Sequence, residues 1–264
     1  MKLLPFVVLG LFLLAGCLNK KEEAAPSTSD EEDGPQLKPF LSLPLHKGTD
    51  FRITEGWIYS KEEWEIHGCL EHYGIDFAAE RGTPILAAAD GWAISSYHQK
   101  PGGTYKGKPI GMALGKFVQI WHPEQGVYTQ YAHLEQIDEA VPYIEPTKTD
   151  DGWDPTFVYR PNGEEIPGWE EVKRGQVIGC MGDTGLYWGY QETPTHRPDP
   201  ATNPSWDEVH VHFEIFTRGP DGKKNARFDP FAIEWSMIEY QDVSKSKKGE
   251  LWLRNEFGLV FADE

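Results

Sequence analysis

The sequence predicts a mainly β fold, an antiparallel, sandwich-like sheet with long loop insertions. Three observations predict it. The chain holds 27 Gly and 20 Pro, and 13% of its residues are aromatic, a loop-rich and strand-favouring composition. Short segments alternate apolar and polar residues between turn signals. Between residues 51 and 228 no long amphipathic helical period occurs.

The first element is not part of that sheet. "MKLLPFVVLGLFLLAGC" carries one basic residue, Lys2, then an apolar run from Leu3 to Ala15 that is shorter than the roughly 20 residues of a spanning helix. It reads as a signal peptide over residues 1–16. Its end, Leu14-Ala15-Gly16-Cys17, resembles a bacterial lipobox, which implies a lipid on Cys17 and an exported, membrane-anchored chain. Residues 17–40 follow as an acidic tether, polar and rich in Ser, Pro and Glu, that cannot bury enough apolar surface to fold alone. About 20 such residues have a root-mean-square span of roughly 25 Å and a maximal reach of about 70 Å.

The folded part is expected over 41–233. "FRITEGWIYS" alternates as a strand; "GIDFAAERGTPILAAADGWAISSY" reads as strand, turn, strand; "GKFVQIWHPEQGVYTQYAHL" reads as two strands about a Pro/Gly turn. "KRGQVIGCMGDTG" and "DEVHVHFEIF" come later. Three turn-rich, aromatic segments interrupt them, at 99–115, 142–170 and 186–206, and loops of that length are functional more often than idle. Residues 234–264 are expected as an extension that packs on the domain.

A net charge of −17 argues against nucleic acid and against adhesion to anionic polymers or head groups. Any membrane attachment must therefore come from the lipid. With Cys17 assigned to lipid, Cys69 and Cys180 are either a disulfide of an oxidising compartment or two separate thiols.

The histidines carry the chemistry. His210 and His212 sit two apart in "DEVHVHFEIF", so a strand points both imidazoles to one face. His72 lies four before Asp76 with Gly74 between them, again on one face if the segment is extended. His133 in "QYAHL" adds a fourth imidazole. Nitrogen and oxygen donors of this kind suit Zn2+, which a catalytic site holds with three protein ligands. The five candidates exceed three, and the surplus suits proton transfer and charge stabilisation. The helical signature H-E-x-x-H is absent, so separate strands must build the site. His98, His122 and His196 read as turn or loop histidines, His46 as preceding the domain, and His67 lies just outside the motif.

"His72-Tyr-Gly-Ile-Asp76-Phe", "Tyr131-Ala-His133-Leu", "Gly175-Gln-Val-Ile-Gly179 … Gly182-Asp-Thr-Gly185" and "His210-Val-His212-Phe-Glu214" resemble, in order and wording, the lysostaphin/LytM-type zinc endopeptidases of family M23. The resemblance spans roughly residues 51–232. It implies His72, Asp76 and His212 as zinc ligands, with His133 and His210 facing the water that the metal activates. It also implies that the Gly-rich turn is structural. The expected function is zinc-dependent hydrolysis of peptide bonds in peptidoglycan stem peptides or cross-links. A non-catalytic module of the same fold that activates a wall amidase would be expected to have lost ligands, and here all five positions are filled. A structural zinc site would more often be closed by four ligands, commonly Cys. The family's short turn before H-x-H is replaced by about two dozen residues between Gly185 and His210, which alters the groove walls rather than the ligands.

Overall fold

The computed structural model describes residues 37–59, 72–105, 108–111, 113–156, 168–186, 193–196, 209–219, 222–231, 251–256 and 258–264. The signal peptide, Cys17, most of the tether, His67 and Cys69 lie outside them, as do most of the 186–206 insertion and residues 232–250. Cys180 is a half-buried free thiol.

Among the described residues every regular element is a strand. In chain order they are β1 (Arg52–Glu55), β2 (Ile75–Ala78), β3 (Pro84–Leu86), β4 (Gly91–His98), β5 (Pro101–Tyr105), β6 (Lys108–Gly111), β7 (Gly115–His122) and β8 (Val127–Ile137). β9 (Thr147–Thr149), β10 (Gly152–Asp154), β11 (Glu170–Val172), β12 (Val177–Met181), β13 (His210–Arg218), β14 (Lys224–Arg227), β15 (Arg254–Asn255) and β16 (Gly258–Leu259) follow. Ten of them form one sheet in the order β1-β2-β13-β8-β7-β4-β11, with β12 joining β3 to β8 and β14 flanking β13. Every strand pairing is antiparallel. The segments 99–115 and 142–170, expected as loops, each contain a short hairpin, β5–β6 and β9–β10.

Period 2 sorts the two faces of the sheet. Ile75 and Phe77 on β2, Val127 and Tyr131 on β8, and Val211, Phe213 and Ile215 on β13 enter one large apolar core. The intervening residues face the other way. There Tyr128, Trp121, Phe216, Ile94 and Trp169 form a smaller aromatic cluster, and Asp76, His210, His212 and Glu214 lie on that same face of their strands.

The larger core is completed by both ends of the described chain. Leu41 bridges to Trp252 and Leu43 to Phe261. Trp252, 1% exposed, packs between Phe77, Phe213 and Phe231. The C-terminal residues thus supply part of the core itself, where the sequence suggested only an added layer.

His122 at the end of β7 is fully buried and donates from Nδ1 to the Asp90 carbonyl, while Nε2 meets the Thr129 hydroxyl. Burial, with Arg174 adding to it, brings its pKa down to about 4. A neutral buried imidazole favours the fold fully above its unfolded pKa of about 6.5. As pH falls from there to about 4 the unfolded chain takes a proton that the folded chain refuses, and about 3 kcal/mol is lost. Urea midpoints measured from pH 7 to pH 4 should therefore fall less steeply for His122→Gln than for the parent chain.

Candidate metal centre

The site forms where β8 changes partners. β13 pairs with β8 along residues 128–132 and β12 along residues 134–137. His133 lies at the change, with φ 63°, a left-handed backbone that costs a non-Gly residue on the order of 1–3 kcal/mol. Its N–H turns aside to the Leu114 carbonyl at 2.8 Å. His210 begins β13 opposite the same fork, its N–H bonded to the Gly182 carbonyl at 3.1 Å. The two imidazoles meet edge to face, 4.9 Å between ring centres.

Register brings in the rest. His212 lies directly across from Asp76 in the β2–β13 pairing, with Nδ1 2.9 Å from Oδ1. His72 does not share a strand with Asp76 as the extended reading expected. β2 starts only at Ile75, and Tyr73 is left-handed with φ 62°. That bend swings the His72 ring beside His212, 4.6 Å between centres, with Nε2 3.3 Å from Asp76 Oδ2. One donor atom each from His72, Asp76 and His212 lies within 4.8 Å of the others. His210 Nε2 stands 3.7 Å from Asp76 Oδ2. All five side chains named from the sequence are therefore gathered at one buried point.

Each imidazole is oriented by its other nitrogen. His72 Nδ1–H donates to the Gly56 carbonyl at 2.7 Å, which leaves Nε2 bare toward Asp76. His133 Nδ1–H donates to the Thr184 carbonyl at 2.8 Å and leaves Nε2 as its acceptor. His212 uses the opposite pair, Nε2–H donating to Glu214 Oε1 at 3.2 Å and Nδ1 facing Asp76. Such partners fix tautomer and ring angle, and metal-binding histidines commonly have them. Two nitrogens and a carboxylate oxygen so placed fit a divalent zinc-type ion.

The electrostatics agree with that geometry. Burial opposes the Asp76 charge, yet His72, His210 and His212 hold its carboxyl well below the usual range. Burial likewise opposes protonated His212, but Asp76 and Glu214 raise it to about 9. A cation on the Asp76 side competes with the Nδ1 proton, so metal affinity weakens as pH falls. Burial and the neighbouring His210 and His212 depress His133 to about 3, which keeps it neutral.

Three contributors were not assigned from the sequence. Glu214 is buried behind His212 and also accepts from Gln130 Nε2 at 3.0 Å and Lys224 Nζ at 2.6 Å. Gln130 in turn accepts from Gln119, and Gln119 from Arg218. Glu214 follows His212 by two, so period 2 alone could have placed it on the ligand face. The Gly-rich turn, expected to be structural, has a second task, because its Thr184 carbonyl aims His133. Arg81 pins that turn through two bonds to Asp183, at 2.8 and 2.7 Å.

The remaining histidines stand apart. His46 pairs with Asp263, His98 lies 3.6 Å from Asp154, and His196 closes a small turn with Thr193.

Residues 70–143 match the family model described as Peptidase family M23. Over these residues the chain is similar to that family. Among curated relatives it is 30% identical over 159 residues to the DD-carboxypeptidase/endopeptidase Mpg of Neisseria meningitidis, covering 60% of this chain and 27% of that protein. It is 24% identical over 211 residues to the glycyl-glycine endopeptidase ALE-1 of Staphylococcus capitis, covering 80% of this chain and 41% of that one. The chain thus spans less than half the length of these relatives. A solved structure, the catalytic domain of lysostaphin from Staphylococcus simulans, aligns at 18% identity and a TM-score of 0.34 over 69% of this chain and 89% of that one. Three of the five gathered side chains, His72, Asp76 and His133, fall inside the matched residues, and His210 and His212 arrive from β13.

Proposed function

We propose that this chain is a zinc-dependent endopeptidase that hydrolyses peptide bonds in peptidoglycan stem peptides or cross-links. The observation that carries the reading is the convergence of three oriented ligand atoms, on His72, Asp76 and His212, with two further imidazoles that none of those ligands needs. The name of a further relative, the peptidoglycan DD-endopeptidase ShyC of Vibrio cholerae, 25% identical over 191 residues, supports the class of polymer.

Zn2+ held there would supply Lewis acidity and acidify water toward a pKa of about 7. The Thr184 carbonyl keeps His133 Nδ1 protonated and its Nε2 open, and His133 and His210, facing each other across the fork, would divide proton transfer and stabilisation of the developing oxyanion between them. Glu214 keeps the His212 ring in register. Digestion of purified peptidoglycan tests the reading. New amino groups should appear and a zinc chelator should suppress them; no chelator-sensitive release from any wall type would refute it.

The lipobox-like end at Cys17 further supports an exported chain held on a membrane through lipid. Cys17→Ser should move the protein from the membrane fraction to the soluble fraction, and an unchanged distribution would count against the anchor.

A further inference from the structure

Beside the metal centre the charge reverses sign. In a chain of net charge −17, the carboxylate of Glu214 faces two cations, Lys224 at 2.6 Å and Arg227 at 3.8 Å. A third, Arg218, joins the same hydrogen-bonded row through Gln119.

Lys224 is committed, since its ammonium is spent on Glu214 and seated over the Phe216 ring. Arg227 is not. Its guanidinium carbon lies over Tyr73 at 4.4 Å from the ring centre, and among the described residues none of its N–H donors makes a hydrogen bond. The ion pair to Glu214 at 3.8 Å is too long to be one. Among the described residues Tyr73 is the large hydrophobic residue left exposed, at 36%. It follows His72 directly, is held left-handed, and meets Trp57 edge to face at 5.7 Å. An exposed ring that carries a flat cation with open donors is a platform for a carboxylate, which a guanidinium binds in bidentate fashion.

The platform also lies at a useful distance. Glu214 links His212 to Arg227 through contacts of 3.2 and 3.8 Å. The guanidinium is then at most about 9 Å from the His212 ring, roughly three residues of extended peptide.

We propose that Arg227, stacked on Tyr73, anchors a free carboxylate of the peptide substrate about three residues from the bond cut. The proposal rests on the peptidase reading and narrows it to carboxylate-bearing stem peptides over uncharged bridges such as oligoglycine.

The test compares two probes, a cross-linked dimer of stem tetrapeptides whose γ-linked D-glutamates keep the α-carboxylate free, and the same dimer with those groups as carboxamides. Binding to the metal-depleted full chain is measured by calorimetry, and cleavage by the zinc-loaded full chain is followed separately. The parent should bind the carboxylate form about tenfold more tightly, and Arg227→Gln should bring the ratio close to one. Arg227→Lys, which keeps the charge and loses the flat fork, should fall between. Because the readout is a ratio, a general loss of affinity in a variant does not mimic the effect. Equal affinities in the parent, no measurable binding of either peptide, or a preference that survives Arg227→Gln each overturn the assignment. Discrimination without cleavage leaves the carboxylate site standing and refutes the peptidase reading, whereas cleavage without discrimination does the reverse.

Discussion

Gly74→Ala should abolish zinc binding at the proposed centre without changing any of the side chains proposed to hold it. A Cβ at that position would lie 2.3 Å from His212 Cε1, 2.6 Å from Nε2 and 2.9 Å from Nδ1, distances that real Cβ atoms do not tolerate. The ring cannot simply retreat, because Nε2 is held by Glu214 and Nδ1 by Asp76, and the side chain is buried. Any shift breaks one of those contacts and turns the ligating nitrogen away. Zinc affinity, read by competition with a chromogenic chelator, is expected to fall about 100-fold, and peptidoglycan hydrolysis with it. Gly82→Ala is the matched control. That glycine is left-handed at φ 83° with no atom within 4 Å of the added Cβ, so it should lose about 1 kcal/mol of stability through strain and keep its metal. Equal zinc affinities in Gly74→Ala and the parent would show that His212 is not a ligand in this pose.

The second large effect is expected from the far side of the sheet. Trp252→Ala removes a side chain that is 1% exposed and touches Phe77, Phe213 and Phe231. Emptying a site of that size costs about 3–5 kcal/mol, or roughly 10 °C in melting temperature for a domain of this length. Phe77 follows Asp76 and Phe213 follows His212, so the indole supports from behind the two strands that carry the ligands. Deleting residues 251–264 should do more than the point change, since it also removes the partners of Leu41 and Leu43. A deletion variant that melts at the parent temperature would make this segment an appendage rather than part of the core.

These two changes mark different depths of legibility. The alternation of apolar and polar residues in "DEVHVHFEIF" is local, and so are the turn residues between strands; both strand structure and a shared face for His210 and His212 follow from geometry within a few residues. The same period reaches Glu214, although an acidic residue on a sheet face announces no partner. For His72 and Asp76 the extended reading failed in detail, because Tyr73 adopts a left-handed backbone whose support, the Trp57 carbonyl, accepts from both His72 and Tyr73 N–H groups across the preceding segment. The hairpins inside 99–115 and 142–170 were hidden for a related reason. Strands of three to five residues with Gly, Pro and Lys in them carry too few alternations to stand out.

By itself the sequence determined the antiparallel β class, a shared strand face for His210 and His212, and a set of five side chains whose types suit a zinc-type centre. Those properties depend on residue type and short spacing. Tertiary structure alone decided which partner orients each ring of His72, His133 and His212, that Thr184 and Glu214 do the aiming, and that Arg227 and Tyr73 stand beside the centre. It also decided that the last residues of the chain complete the core. His212 and Asp76 are 136 positions apart, and Arg81 and Asp183 are 102 apart. Contacts across such separations are set by strand register and by the point where β8 exchanges one partner for another, and no local pattern of residues encodes either.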